Sequence, residues 1–200
     1  MQITYVNRKG VTYYLCQSAT KTGKPRYYFA RAPQDTPVEQ LPEGFRISES
    51  ANGLVSLERD RPSQILPAEV AAVEAAIARH PKPRDYHVAV KRDRIEISER
   101  LGADADELIA ALGGVLGLRP GASEDLRSHL EATGRFALAL RFCLIDAERR
   151  RFSVERWCSL GSIDDWIDVG LRGPLSEFVE SAIARLGDDS FYDPFWHDYD

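Results

Sequence analysis

The sequence has few cysteines and no long apolar run, and its first 33 residues contain no acidic side chain. The three cysteines form no Cys-x-x-Cys pair, which argues against a disulfide framework or a zinc ribbon. No segment approaches the roughly 18 consecutive apolar residues that a membrane helix needs, and the amino terminus lacks the apolar core of a signal peptide. These absences predict a cytoplasmic protein with no membrane partner.

The net charge of −5 conceals two oppositely charged ends. Residues 1–33 contain six basic residues, whereas residues 161–200 contain ten acidic and two basic residues. The bulk composition, with 44% hydrophobic and 28% charged residues, is that of a folded domain and excludes collagen-like or globally disordered chains. Because the basic residues cluster at one end, a polyanion is still a candidate partner although the net charge of the chain is negative.

Short runs of β-branched and aromatic residues, separated by turn residues, predict antiparallel hairpins. Helical spacing of apolar residues, with capping residues before them, predicts interspersed helices. Strands are predicted at 3–6, 11–17, 25–31, 45–49, 54–57, 86–91, 94–98, 136–144 and 151–158. Helices are predicted from Pro67, from Asp104 through Leu116, at 123–131, from Ser162 through Ile167, and from Pro174.

Strands in adjacent pairs, with helices between them, predict an α+β fold of antiparallel β-hairpins or a meander, arranged as two small lobes. The predicted boundary lies near residues 99–103. Residues 1–100 would form a basic β-meander followed by a helix and a β-hairpin. Residues 101–200 would form helices packed on a long β-hairpin, with an acidic, aromatic C-terminal tail.

Cations and aromatic rings alternate in residues 24–31, beside Tyr13 and Tyr14 on the neighbouring predicted strand. Exposed rings can stack unpaired bases while Lys and Arg neutralise phosphates. The alternative is a half-buried structural sheet, in which alternation places one of Tyr13 and Tyr14 in the core. The predicted binding surface consists of Arg8, Lys9, Lys21, Lys24, Arg26, Tyr27 and Arg31. We therefore expect a non-enzymatic binding or adaptor protein without a cofactor, whose partner is single-stranded nucleic acid or an acidic protein.

The C-terminal tail, residues 191–200, contains five aromatic residues. So many rings rarely stay in water, so the tail is expected either to pack on its own domain or to dock on a partner. Phe195 and Trp196 are the predicted interface anchors, including for a homo-oligomer, because aromatic side chains dominate such anchors. An assembly protein is therefore one alternative function.

A metal-dependent hydrolase or nuclease is the other alternative, with Asp164, Asp165 and His197 as its candidate residues. Acidic residues in the first turn of a helix also simply complement the helix dipole, and no second histidine lies near His197. No catalytic or metal-binding residue is therefore assigned. The cysteines lie on predicted strands, where buried free thiols behave as small hydrophobic residues.

Three segments carry a resemblance to a known family. They are 11–31 with its Lys-Thr-Gly-Lys-Pro-Arg-Tyr-Tyr-Phe run, 42–45 followed by Asn52-Gly53, and 154–158 followed by Asp164-Asp165-Trp166. Over most of its length the chain resembles an uncharacterised bacterial protein family with no assigned function. The resemblance implies a stand-alone cytoplasmic protein and transfers no site residue.

Overall fold

A computed structural model of the chain describes residues 2–102, 108–110, 120–160 and 162–188. The fold is α+β and rich in strands, as the sequence predicts. The strands are β1 (Thr4–Val6), β2 (Thr12–Ala19), β3 (Pro25–Ala30), β4 (Thr36–Pro37), β5 (Phe45–Glu49), β6 (Val55–Arg59), β7 (Tyr86–Val90), β8 (Arg94–Leu101), β9 (Arg135–Asp146), β10 (Arg151–Leu160) and β11 (Ile163–Pro174). The helices are α1 (Pro67–Arg79), α2 (Pro120–Thr133) and α3 (Val179–Ala184), with short 3-10 turns at Pro83–Asp85 and Leu175–Glu177.

The chain divides into two compact units, each built from two segments. Unit 1 consists of Met1–Arg61 and Gly102–Arg135, and unit 2 of Pro62–Leu101 and Phe136–Asp200. One of the divisions, between Leu101 and Gly102, falls within the region where the sequence predicts a boundary. The predicted domains, residues 1–100 and 101–200, stay a prediction.

In unit 1, β2 is the central strand of its sheet. β3 pairs with one edge of β2, while β1 and β4 pair end to end with the other edge, all antiparallel. β5 and β6 form a separate antiparallel hairpin. The strands predicted for this region are confirmed, and β4 is an additional short strand in a stretch where the sequence predicts none.

Three hairpin turns of unit 1 share one hydrogen-bond pattern. The first residue of each turn is Asn, Thr or Ser, and its N–H donates to the carbonyl four positions later at 2.8–3.0 Å. Its side-chain oxygen accepts the N–H of that later residue at 2.8–3.1 Å. A glycine at the fourth position has a φ between +72° and +77°, which other residues rarely adopt. The turns are Asn7–Val11, Thr20–Lys24 and Ser50–Leu54.

In unit 2, a five-stranded sheet has the order β11-β10-β9-β8-β7, and its pairs β7–β8, β9–β10 and β10–β11 are antiparallel. α1, α3 and the sheet share one apolar core, which includes Val73, Ile77, Ile95, Ile97, Leu140, Phe142, Phe152, Val154, Val179 and Ile183. Arg156 follows Phe152 and Val154 in the same alternating series and is 1% exposed. Alternation along β10 therefore buries the Arg156 side chain.

The helix predicted from Asp104 through Leu116 lies mostly outside the described residues. The short helix predicted from Ser162 through Ile167 is wrong. Residues Ile163–Pro174 form β11, which pairs with β10 and places Trp166 opposite Trp157. The two indole rings meet edge to face with centroids 5.3 Å apart, and the guanidinium of Arg141 lies 4.0 Å from the centre of the Trp166 ring. These cross-strand contacts outweigh a local capping pattern, because pairing with a neighbouring strand also satisfies the backbone.

The C-terminal helix is shorter than the sequence predicts. A 3-10 turn at Leu175–Glu177 comes first, and α3 begins only at Val179. The apolar stripe expected for this segment is nevertheless buried, and it consists of Leu175, Phe178, Val179, Ala182, Ile183 and Leu186. Within the described ranges, no helix is both long enough and apolar enough to cross a membrane.

Candidate nucleic-acid interface

Three of the predicted cations gather at the turn that joins β2 to β3. Lys21 and Lys24 lie within this turn, and Arg26 is the second residue of β3, opposite Ser18. All three cationic side chains are exposed. The hydroxyl of Thr20 closes the turn, because it both accepts the Lys24 N–H and donates to the Lys24 carbonyl at 3.0 Å. One hydrogen-bonded hairpin turn therefore presents three cations to solvent.

Arg8 and Lys9 lie in the β1–β2 turn, at the opposite end of β2. The eight residues of β2 span about 26 Å at roughly 3.3 Å per residue. The Lys9 ammonium donates to the carbonyls of Thr133 and Gly134, each at 3.2 Å, where α2 ends. The Arg8 guanidinium donates to a carbonyl of the β5–β6 turn. These two cations are thus engaged inside unit 1, far from Lys21.

Arg31 and Tyr27 also lie apart from the cationic turn. Arg31 follows the last residue of β3 and is exposed, five positions and about 17 Å along the chain from Arg26. Tyr27 is half-buried and lies opposite Gln17, on the same face of the sheet as the fully buried Leu15. Arg26 points to the other face, because successive side chains of a strand alternate.

Tyr28, a residue that the sequence analysis does not select, shares the face of Arg26. It lies opposite Cys16, and Tyr14 lies two positions along β2 on the same face. Diagonal neighbours of this kind are about 7–8 Å apart. Tyr14 and Tyr28 are half-buried, whereas Tyr13 is 6% exposed, so the expectation that one of the adjacent tyrosines enters the core is confirmed. Two partly exposed rings and a cation therefore share one face of the sheet.

The ring of Tyr28 extends along the sheet across β2. Its hydroxyl donates to the carboxylate of Asp35, which directly precedes β4. β4 and β3 pair with opposite edges of β2, so this hydrogen bond spans β2 on the face that carries Cys16. Cys16 is 0% exposed, and the Gln2 amide reaches its Sγ at 3.8 Å. The hydrogen bond to Asp35 raises the pKa of Tyr28 to about 12.

The residues of the two alternative functions are only partly described. Asp164 and Asp165 are exposed and lie on β11, opposite Ser159 and Cys158. His197, Phe195 and Trp196 lie outside the described residues. Among the described residues, no group of three or more His, Cys, Asp and Glu side chains is placed to hold a metal ion.

Cys143 lines a shallow recess of unit 2 together with Arg94 and Arg141. Both guanidiniums are engaged by carboxylates, since Arg94 Nε donates to Glu96 at 2.7 Å and Arg141 Nε donates to Glu155 at 2.6 Å. Burial raises the pKa of the Cys143 thiol to about 11. The thiolate is the nucleophilic form of cysteine, and a raised pKa disfavours it.

A comparison of the chain with protein-family models, curated proteins and solved structures finds no match. The resemblance to a bacterial family therefore stays a prediction.

Proposed function

We propose that the protein is a non-enzymatic binding protein that holds single-stranded nucleic acid on the face of β2 and β3 that carries Tyr14, Tyr28 and Arg26. In this proposal, the rings stack two unpaired bases, and Lys21, Lys24 and Arg26 neutralise the phosphates that follow. The observation that carries it is the placement of two partly exposed rings and an exposed cation on one face, beside a turn with two more exposed cations.

The arrangement suits a single strand better than a duplex. Bases in a duplex are already stacked on one another, whereas bases of a single strand can lie on aromatic side chains. Tyr14 and Tyr28 are diagonal neighbours on this face, so in this proposal each ring takes one base. The cations lie along the direction of the strands from the rings, where the backbone of a bound strand would continue.

Binding of labelled oligonucleotides of about 12 nucleotides, measured by fluorescence anisotropy between about 50 and 200 mM salt, tests the proposal. The wild-type protein should bind single strands with an affinity that falls steeply with salt, because phosphate contacts release counterions. The triple variant Lys21→Gln, Lys24→Gln, Arg26→Gln should bind at least tenfold more weakly. The slope of log affinity against log salt concentration should also be shallower by about 2 in this variant. Each phosphate contact to a single strand contributes about 0.7 to that slope, and three contacts are removed.

A matched control is the triple variant Arg92→Gln, Arg149→Gln, Arg151→Gln, which removes three exposed cations from unit 2. The net charge changes equally in the two triple variants, so general attraction to a polyanion weakens equally. Equal loss of affinity in both, or wild-type binding that is absent or independent of salt, would overturn the proposal. Equally tight binding of polyglutamate would indicate an acidic protein partner instead.

We further propose that binding takes place in the cytoplasm. The described thiols, Cys16, Cys143 and Cys158, are all free, and two of them are buried on strands. A reducing compartment suits unpaired thiols.

A further inference from the structure

A carboxylate lies at the edge of the Tyr28 ring, where a polyanion-binding surface would be expected to avoid negative charge. Asp35 is exposed and accepts the Tyr28 hydroxyl through Oδ2. Among the described residues, Tyr28 is the one hydrogen-bond donor to the Asp35 side chain. The carboxylate therefore keeps acceptor capacity beyond the bond to Tyr28, since an ionised carboxylate can accept up to about four hydrogen bonds.

The backbone holds Asp35 in place beside the ring. Its φ is +49°, a left-handed conformation that costs a residue other than glycine some strain, although Asp tolerates it better than most. The next two residues pair with β2, Thr36 with Gln17 and Pro37 with Cys16. A strained residue anchored by a strand directly after it is held by its surroundings, and such residues cluster at functional positions.

The positive and negative side chains around Tyr28 lie in two separate places. The exposed cations Lys21, Lys24 and Arg26 lie toward the β2–β3 turn, and the carboxylate of Asp35 lies at the tip of the ring, across β2. A phosphate is attracted to the first group and repelled by the second. If a base stacks on the Tyr28 ring, its edge and not its phosphate must therefore face Asp35.

We propose that Asp35 reads the edge of the base stacked on Tyr28 and selects bases that present an amino group. This inference rests on the proposed function. A carboxylate accepts hydrogen bonds from the amino groups of cytosine, adenine or guanine. Thymine and uracil have no amino group and present carbonyl oxygens on both sides of their one N–H, and these oxygens repel a carboxylate. Asp35 would thus be a specificity-determining residue on a surface whose affinity comes from cations and rings.

The test compares oligo-dC and oligo-dT of equal length, about 12 nucleotides, at one salt concentration. The wild-type protein should bind oligo-dC about tenfold more tightly than oligo-dT, within the range of about 5- to 150-fold that one good base contact supplies. In Asp35→Asn the ratio should fall close to one, because an amide can both donate and accept. Binding of oligo-dT should become tighter in absolute terms, because a repelling charge is removed.

Asp60→Asn is the matched control, since Asp60 is an exposed acidic residue of unit 1 outside the sheet face of Tyr28. It changes the net charge equally and should leave the dC-to-dT ratio unchanged. A ratio near one in the wild-type protein, or a ratio that Asp35→Asn leaves intact, would overturn the role of Asp35 while leaving the proposed function standing. Absence of salt-dependent binding to either oligonucleotide would instead remove the proposed function itself.

Discussion

The side chain of Asn7 joins two hairpins of unit 1 through Gly53, because its Nδ2 donates to the Gly53 carbonyl at 2.6 Å. Its Oδ1 accepts the N–H groups of Lys9 and Val11 at 3.0 and 2.8 Å. Asn7 is 5% exposed, so these bonds satisfy an amide that water cannot reach. A Cβ atom on Gly53 would lie 2.9 Å from Nδ2. The close approach of the two hairpins therefore requires glycine at this position.

Replacing Gly53 by alanine should destabilise the protein by about 1–3 kcal/mol. The φ of Gly53 is +76°, which strains any L residue, and the added methyl group would push against the Asn7 amide. The change in the free energy of unfolding is measured by urea denaturation followed by circular dichroism.

Gly23→Ala separates the effect of backbone strain from the effect of the contact with Asn7. Gly23 occupies the same position of an equivalent turn, with a φ of +77°, but a Cβ there would have no atom within 4 Å. This variant should therefore lose less stability than Gly53→Ala, because it suffers the backbone strain alone. Equal losses would show that the contact with Asn7 contributes nothing.

The hairpin turns are predictable from sequence because their causes are local. In each turn, a polar residue stands three positions before a glycine, and both are needed for the observed hydrogen bonds. At Asn52-Gly53 only Gly53 has a positive φ, and the Ser50 hydroxyl completes the turn by accepting the Leu54 N–H.

The sheet face that carries Tyr14, Tyr28 and Arg26 is harder to predict from sequence, and so is β11. Both depend on contacts between residues that are distant in the sequence. Tyr27 and Tyr28 both continue an alternating pattern, and only the position of the core, marked by the buried Leu15, decides which ring shares a face with Arg26. Asp35 approaches Tyr28 through β4, a strand of two residues with no sequence signal of its own. Trp166 likewise belongs to a strand because Trp157 lies opposite it.

Arg150→Ala should lower the free energy of unfolding by about 1–2 kcal/mol. Arg150 Nε donates to Glu69 Oε1 at 2.9 Å, and Glu69 Oε2 accepts the Leu66 N–H at 2.8 Å at the start of α1. The pair thus ties the β9–β10 turn to the amino terminus of α1. Thermal and urea unfolding of the variant measure the loss.

Arg150→Gly is the control variant that isolates backbone strain at this position. Arg150 has a φ of +51°, so both substitutions remove the ion pair but only glycine relieves the backbone strain. The glycine variant should be more stable than the alanine variant by about 0.5–1 kcal/mol. If the alanine variant were the more stable one, strain at Arg150 would not be a factor.

Cys143 should react with iodoacetamide about a hundredfold more slowly in the folded protein at pH 8 than in the urea-unfolded chain. The thiolate is the reacting species, and burial raises the pKa of this thiol to about 11. Mass spectrometry of the peptide that contains Cys143 gives the rate. In the folded protein the rate should keep rising about tenfold per pH unit toward pH 11, and a plateau near pH 9 would contradict the raised pKa.

Asp35→Asn should allow Tyr28 to ionise at lower pH. The hydrogen bond from the Tyr28 hydroxyl to the Asp35 carboxylate raises the pKa of Tyr28 to about 12, because loss of the proton would remove the bond and place two negative charges together. Without the carboxylate charge, the pKa of Tyr28 should move toward the ordinary tyrosine value of about 10. At about pH 11, the phenol should thus be mostly protonated in the wild-type protein and mostly ionised in the variant.

Tyrosinate absorbance reports this difference once the titration curve of Tyr28→Phe has been subtracted, with circular dichroism confirming that the proteins remain folded. Asp60→Asn should leave the curve unchanged, and an unchanged curve in Asp35→Asn would mean that Asp35 does not hold the ring in solution.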